Sequence, residues 1–238
     1  MLAEVVTAPG RSAAVRKSIG WSPHARARAS LKSEQGSICR DWGGRLPIAL
    51  LFPNSYYLGM SSLAVQTLYG LWNSRDDVVC ERVFYQADIP HSVESDAPLD
   101  YFPVVAISLA YEMDYFNVAK LLKREAIPPR SADRDGSHPL IVAGGPAVSA
   151  NPAPLATIID AFLIGEVEPV LDSLTDALQL VVDDRDLALA ALSDIAGVYV
   201  PSVHGVEPAA ASAGGTVRID RQWVRELDRW PTHSTILT

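Results

Sequence analysis

Apolar and polar positions alternate along this chain in blocks rather than residue by residue. Five apolar runs are each followed by a polar or glycine-bearing turn, and most of these turns lead into a segment of helical periodicity. Such short runs are typical of strands buried on both faces of a sheet. The series predicts an α/β fold with a doubly wound, flavodoxin/Rossmann-like parallel sheet of five strands. The expected strands are 46–52, 78–85, 104–109, 139–143 and 160–164, and a further short strand is expected at 197–200.

Two of the predicted helices carry specific expectations. After the first strand, residues 53–59 are expected to form a loop, with either Ser61 or Ser62 as the N-cap of the following helix. After the third strand, the spacing predicts a helix. Its apolar side is expected to hold Phe116, Ala119 and Leu122, and its polar side Asn117 and Lys120.

Charge is unevenly distributed along the chain. The first 33 residues hold six basic residues and one acidic residue, so the net charge of −8 divides into +5 there and −13 elsewhere. An acidic core argues against direct nucleic-acid binding. An Arg-rich start also suits a transit peptide, but the apolar periodicity of such a peptide is weak here. We expect a flexible basic arm over 1–33, an α/β domain over 34–200 and a linker or edge segment over 201–238.

The sequence offers few residues for metal or redox chemistry. Cys39 and Cys80 are too few and too far apart for a zinc knuckle, a CxxC pair or the ligands of an iron–sulfur cluster. None of the five histidines has HxH or HxxxH spacing. No apolar run reaches membrane-spanning length. We therefore expect a reduced, cytoplasmic protein with no membrane partner, no metal site and no catalytic residue in this chain.

Small or polar residues follow four of the predicted strands. They lie in segments 53–59, 108–112, 144–146 and 165–166. In a doubly wound sheet the ligand binds outside the carboxyl ends of the strands, and glycine there lets the backbone approach a flat or bulky group. The glycine pair at 144–145 is equally consistent with a tight turn alone. Since no GxGxxG, GxxxxGK[ST], GxSxG or HExxH motif is present, the pattern predicts a small-molecule site without naming its ligand.

Four blocks of the sequence resemble, in order, a family of radical S-adenosylmethionine (SAM) proteins in which a cobalamin-binding-like α/β domain precedes a radical barrel. The blocks are 36–73, 102–128, 139–168 and 197–207, and the closing stretch VRELDRWPTHSTILT resembles the linker that leads into the barrel. The resemblance implies that a CxxxCxxC loop follows in a downstream barrel, where its cysteines hold a four-iron, four-sulfur cluster and S-adenosylmethionine. This sequence would then be a fragment that is not catalytic alone.

The same resemblance implies which residues line a cofactor site. The family's DxHxxG turn is PNSYYLG here, which keeps Gly59 but has no histidine to ligate cobalt. The SxL signature corresponds to Ser108-Leu109, with leucine at the second position only, and the GG pair to Gly144-Gly145. Cobalamin or part of the substrate is expected against Asn54, Tyr56, Gly59, Ser108, Leu109, Tyr111, Glu112, Gly144, Gly145, Pro146, Gly165 and Glu166.

Two other hypotheses remain open on the sequence. The domain could be a non-catalytic α/β scaffold or an interdomain interaction module that has lost its cofactor. A free-standing flavodoxin-like binder of flavin or nucleotide is less favoured, because the first loop has no Ser/Thr-rich phosphate cradle. The favoured hypothesis is a domain that caps a radical barrel, with that barrel as its partner.

Overall fold

The computed structural model of the chain describes residues 31, 33–85, 91–205, 219–230, 234 and 236–237. All of the expected arm over 1–33 except residues 31 and 33, and much of the expected linker, therefore lie outside the described residues. Within them, the strands form a single sheet in the order β2-β1-β3-β4-β5-β6. The strands are β1 (Leu46–Phe52), β2 (Val78–Phe84), β3 (Val104–Ser108), β4 (Leu140–Gly144), β5 (Ala161–Leu163) and β6 (Val198–Tyr199).

The predicted doubly wound α/β sheet is confirmed, with one addition. Strands β1 to β5 pair in parallel with their neighbours, as the β-then-α pattern predicted. The sheet has six strands rather than five, because the short strand β6 pairs antiparallel with β5 at the edge.

Helices cover both faces of this sheet. They are α1 (Tyr56–Met60), α2 (Leu63–Asn73), α3 (Tyr115–Arg124), α4 (Pro146–Ala150), α5 (Leu171–Gln179), α6 (Arg185–Ser193) and α7 (Pro201–His204). Three-residue 3-10 turns lie at Leu99–Tyr101, Glu112–Asp114, Ser131–Asp133, Ala153–Leu155, Glu168–Val170, Leu180–Val182 and Leu227–Arg229.

The expectation of a loop over 53–59 was wrong. Helix α1 begins inside that segment, and the side chain of Ser55 caps it by accepting a hydrogen bond from the amide of Leu58. Ser61 ends α1 rather than beginning α2. Ser62 does occupy the N-cap position of α2, but its side chain makes no capping hydrogen bond.

Alternating residues of the buried strands supply two hydrophobic cores, one on each face, because successive side chains of a strand point to opposite faces. Leu50, Ala106 and Val142 belong to the first core, which α2, α5 and α6 cover. Leu51 and Ile107 belong to the second core, which α3 and α4 cover.

Helix α3 buries its expected apolar stripe only in part: Leu122 is buried and Lys120 is exposed as expected, but Phe116 is not buried. Its buried residues are Val118, Leu121 and Leu122. Phe116, which was expected on the apolar side, is 65% exposed. Asn117 was expected on the polar side, and it is half-buried because its amide reaches back to the carbonyl of Pro53 at 3.0 Å.

The outer edge of β2 is closed by a buried ion cluster. Arg82 is fully buried and donates to Glu34 at 2.6 Å and to Glu94 at 2.7 Å. The amide of Val93 donates to the carbonyl of Arg82 at 2.8 Å, so the segment containing Glu94 lies along the edge of the strand. The sequence pattern predicted β2 itself, but it did not reveal the buried charges on it.

Candidate functional site

A cavity of about 440 Å³ lies on the first face of the sheet and reaches the carboxyl ends of the strands. Its floor is formed by inward-facing strand residues, among them Leu50, Ala106, Val142 and Leu163. Helix α2 forms one wall and α5 contributes Leu174 to another. The cavity exists because these two helices cover neighbouring parts of the first face and leave the strands between them uncovered.

Six of the predicted site residues lie at this cavity. They are Ser108, Gly144, Gly145, Pro146, Gly165 and Glu166. The parallel register places Ser108 beside Gly144, so the tips of β3 and β4 meet there.

Gly145 lets these two tips approach each other closely. Its φ is +114°, and a Cβ added there would lie 2.5 Å from the carbonyl oxygen of Leu109. Only glycine adopts this conformation at low cost and leaves room for the neighbouring backbone. The backbone of Leu109 is itself occupied, since its amide donates to the carbonyl of Gly144 at 2.8 Å. Its side chain is fully buried in the second core.

Side-chain hydrogen bonds join the segments after β1 and β3, so no open crevice lies between these strand ends. We call the hydrogen-bonded group Asn54, Asp114 and Asn117 the lock. The side-chain amide of Asn54 donates to Asp114 at 3.0 Å, and its oxygen accepts the amide of Ser55 at 2.8 Å. Asn117 donates to the same oxygen of Asp114 at 3.3 Å. Both polar ends of Asn54 are thus engaged within the protein, and Asn54 does not line the cavity.

Asp114 is the buried acid of this lock. It is 2% exposed, and its second carboxylate oxygen has no hydrogen-bond partner among the described residues. Burial raises the pKa of the Asp114 carboxyl, while the amides of Asn54 and Asn117 oppose the shift.

The remaining predicted site residues lie outside the cavity. The hydroxyl of Tyr56 donates to Glu34 of the β2 edge cluster. Gly59 packs so closely on Phe84 that an added Cβ would lie 2.3 Å from its ring. Tyr111 is 60% exposed, and Glu112 is exposed beside it.

Exposed apolar side chains are concentrated near these strand ends. Tyr57 on α1 is 79% exposed, Met113 is 74% exposed, and Tyr111 and Phe116 flank Met113 in sequence. The Asn54–Asp114 hydrogen bond joins the segment after β1, which holds Tyr57, to the segment after β3, which holds the other three side chains. We call Tyr57, Tyr111, Met113 and Phe116 the apolar rim. Since exposed apolar clusters mark interaction sites, the rim is a candidate contact surface.

A segment late in the chain covers the cavity, and the sequence did not predict this role. We call residues 219–230 the strap. Gln222 pairs in parallel with Gly165 just beyond β5, through hydrogen bonds of 2.9 Å to the carbonyl of Ile164 and 3.1 Å from the amide of Glu166. The strap residues that line the cavity are Arg221, Val224, Leu227 and Trp230. The sequence predicted a linker or edge segment over 201–238, but it did not indicate pairing beside β5 or a position over the cavity.

No group of three or more potential metal ligands is present in the described part of the chain. The described histidines are His91, His138 and His204, and none of them lines the cavity. Cys39 is exposed and Cys80 is buried, and both are free thiols. Among the same residues, no helix is both long enough and apolar enough to cross a membrane.

Comparisons with known proteins show the family of the chain. The model of the family described as radical SAM proteins, N-terminal, matches residues 64–201, which is more than half of the chain. An uncharacterized protein of Methanocaldococcus jannaschii is 31% identical over 121 residues. That match covers 51% of this chain and 24% of the relative, so the matched region spans about a quarter of the relative's length. No solved structure matches the chain significantly.

Proposed function

The chain belongs to the N-terminal domain family of radical SAM proteins, and we propose that it caps a radical barrel and holds cobalamin, or part of the substrate, at the carboxyl ends of its strands. The observation that carries this proposal is the cavity. It is apolar, it has the size of an ordinary ligand pocket, and it lies where doubly wound sheets bind their ligands.

The cavity fits one part of cobalamin and not another. A volume of about 440 Å³ with aliphatic walls suits the flat benzimidazole tail of the cofactor, but it is too small to enclose the corrin ring. Neither Asn54, whose polar atoms are engaged, nor any described histidine is placed to ligate cobalt from this cavity. The residues that line the cavity would therefore hold the tail of the cofactor.

The cofactor and the chain would have different roles. When bound, cobalamin would supply a cobalt centre that can carry a methyl group. This chain's own contribution is to bind the tail against Ala106 and Val142, to exclude water there and to present the rest of the ligand at the strand ends. We assign the iron–sulfur cluster and S-adenosylmethionine to the downstream barrel, since Cys39 and Cys80 cannot supply three thiolates.

The apolar rim supports the capping role. Tyr57, Tyr111, Met113 and Phe116 leave large apolar surfaces in water at the same end of the sheet as the cavity mouth. Burial against a barrel would remove that surface from water, at roughly 25 cal/mol per Å² of apolar area.

A second candidate, an interdomain module without a cofactor, is favoured by the turn after β1. In the family's DxHxxG turn the cobalt-ligating histidine falls at Tyr56 of this chain, and the hydroxyl of Tyr56 donates to Glu34. In that case the apolar rim would be the functional surface and the cavity would have no ligand.

Reconstitution separates the two candidates. The purified 238-residue chain is incubated with hydroxocobalamin and passed through a gel-filtration column, and corrin absorbance is measured in the protein peak. We expect co-elution, and we expect Ala106→Leu to abolish it because the three added carbons enter the cavity. Ala110→Leu adds the same carbons outside the cavity lining and should retain cobalamin. Absence of corrin from the unaltered chain would reject cobalamin and favour the cofactor-free module.

A further inference from the structure

We infer that the cavity encloses an uncharged, flat, largely apolar group and that the strap is its outer wall, so that bound ligand and docked strap stabilise each other. The inference rests on the proposed function only in treating this cavity as a ligand site. It adds the chemical class of the enclosed group and a device that regulates access to it.

The strap is attached on one side of the cavity, and described residues that follow it are attached on the other. On one side, Gln222 pairs with Gly165, and the amide of Val224 donates to the carboxylate of Glu166. On the other side, Ile236 is 2% exposed and Leu237 pairs antiparallel with Gln35 through hydrogen bonds of 2.8 and 2.9 Å.

A further contact shows that the chain crosses the mouth of the cavity. The hydroxyl of Ser234 donates to Gln66 of α2, the helix that forms the wall opposite β5. The chain therefore passes from the tip of β5 to α2, and Leu227 and Trp230 lie over the cavity between these attachments.

Only part of the strap's apolar surface is buried: Ile219 packs against the second core, but the apolar side chains near the cavity stay largely in water. Leu227 is 64% exposed and Trp223 is 60% exposed, although Leu227 lines the cavity. An apolar ligand beneath the strap would supply the missing surface for Leu227 and Trp230. By linkage, whatever the ligand gains from the docked strap, the strap gains from the ligand.

The walls and the mouth define the chemical class of the ligand. Leu50, Ala106 and Val142 offer no hydrogen bonds from their side chains, so a charged group placed against them would lose its hydration without compensation. At the mouth, Glu166 and Glu168 provide two carboxylates against the single guanidinium of Arg221. An anionic group is therefore disfavoured at both positions.

Two dyes with the same ring system test the ligand class. N-phenyl-1-naphthylamine is uncharged, and 8-anilinonaphthalene-1-sulfonate adds one sulfonate to it. Titration of the 238-residue chain, followed by dye fluorescence, should show at least about tenfold tighter binding of the uncharged dye, a difference of 1.4 kcal/mol. Ala106→Leu should weaken that binding, and Ala110→Leu should not.

The rate of trypsin cleavage measures how often the strap is released, because the strap contains three exposed cleavage sites, Arg221, Arg225 and Arg229. Cleavage after these residues is followed by mass spectrometry with and without the uncharged dye. If cleavage needs the strap to be released, dye at 100 times its dissociation constant should slow cleavage about 100-fold.

Substitutions at two separate glycines, Gly165 and Gly205, provide the test variant and its matched control. In Gly165→Ala, the added Cβ would lie 2.3 Å from the carbonyl oxygen of Gln222, so the strap must move away. Gly205 also has a positive φ, +92°, but a Cβ there meets no atom of the described residues within 4 Å. We expect Gly165→Ala to speed strap cleavage at least about tenfold and to weaken dye binding, whereas Gly205→Ala should change neither.

The outcomes separate this inference from the proposed function. Dye binding that leaves strap cleavage unchanged would overturn the coupling and leave the cavity as a ligand site. Tighter binding of the sulfonated dye would overturn the ligand class. If Ala106→Leu does not affect the binding of either dye, the cavity is not the site, and the proposed function fails with the inference.

Discussion

Replacing Arg82 by methionine should destabilise the protein strongly. Arg82 donates to two buried carboxylates, at 2.6 Å to Glu34 and 2.7 Å to Glu94, and its guanidinium lies 4.8 Å from the ring centre of Tyr69. Methionine fills much of the same space but leaves both acids without their cation. Removing one partner of a buried ion pair costs about 3–5 kcal/mol, which is a large part of the 5–15 kcal/mol typical of a folded protein.

Urea unfolding followed by circular dichroism measures this loss. A loss of about 4 kcal/mol with a slope of about 3 kcal/mol per M lowers the urea midpoint by about 1.3 M. The deficit should shrink towards pH 5, because protonation of the stranded carboxylates removes their buried charge.

Arg75→Met is the matched control for this measurement. Arg75 also contacts three carboxylates, but Asp77, Asp172 and Asp176 are 47%, 86% and 66% exposed. Ion pairs of this kind contribute about 1 kcal/mol or less. Equal midpoint shifts for the two variants, or a deficit of Arg82→Met that does not depend on pH, would refute the reasoning.

Three further variants give separate tests. Burial raises the pKa of Glu94 to about 7, so its contribution to stability is complete below the unfolded value of 4.5 and is lost as pH rises through 7; Glu94→Gln should remove the resulting fall of about 2 kcal/mol in unfolding free energy between pH 5 and pH 7.5, measured by urea unfolding. Asn54→Ala should cost about 1–3 kcal/mol in the same assay by stranding its buried carboxylate partner; unchanged stability with lost cobalamin binding would instead make Asn54 a ligand contact. Gly59→Ala forces a Cβ to 2.3 Å from the ring of Phe84 and should cost about 1–3 kcal/mol, or about 2–4 °C of Tm per kcal/mol, whereas Gly136→Ala meets nothing within 4 Å and should leave Tm unchanged.

Local sequence patterns were sufficient for the sheet, because a parallel strand buried on both faces is usually a nearly continuous apolar run. The run Leu46–Phe52 shows this, since all seven of its residues are buried. Helix α1 was missed for a related reason. Its Gly59 suggests a loop, and the close packing on Phe84 that explains the glycine is a tertiary contact.

The site was only partly predictable. Glycines and polar residues after β3, β4 and β5 indicated the correct end of the sheet, and six of them lie at the cavity. The lock between Asn54 and Asp114 joins side chains 60 residues apart. The hydrogen bond from Val224 to Glu166 spans 58 residues. Contacts over such separations leave no periodic signal in the sequence, so neither the closed β1 tip nor the strap could be inferred from it.

The buried Arg82 cluster also bears on how the molecule avoids aggregation. An unpaired strand at the edge of a sheet is a template to which another chain can add a strand and so begin a fibril. Along β2, the carbonyl of Arg82 accepts a hydrogen bond from the amide of Val93, and the amide of Arg82 donates to the carboxylate of Glu94. These backbone groups are therefore not available to a second molecule. The strand at the opposite edge of the sheet, β6, is only two residues long. A variant that opens the Arg82 cluster would therefore expose a β2 edge prone to self-association, besides being less stable.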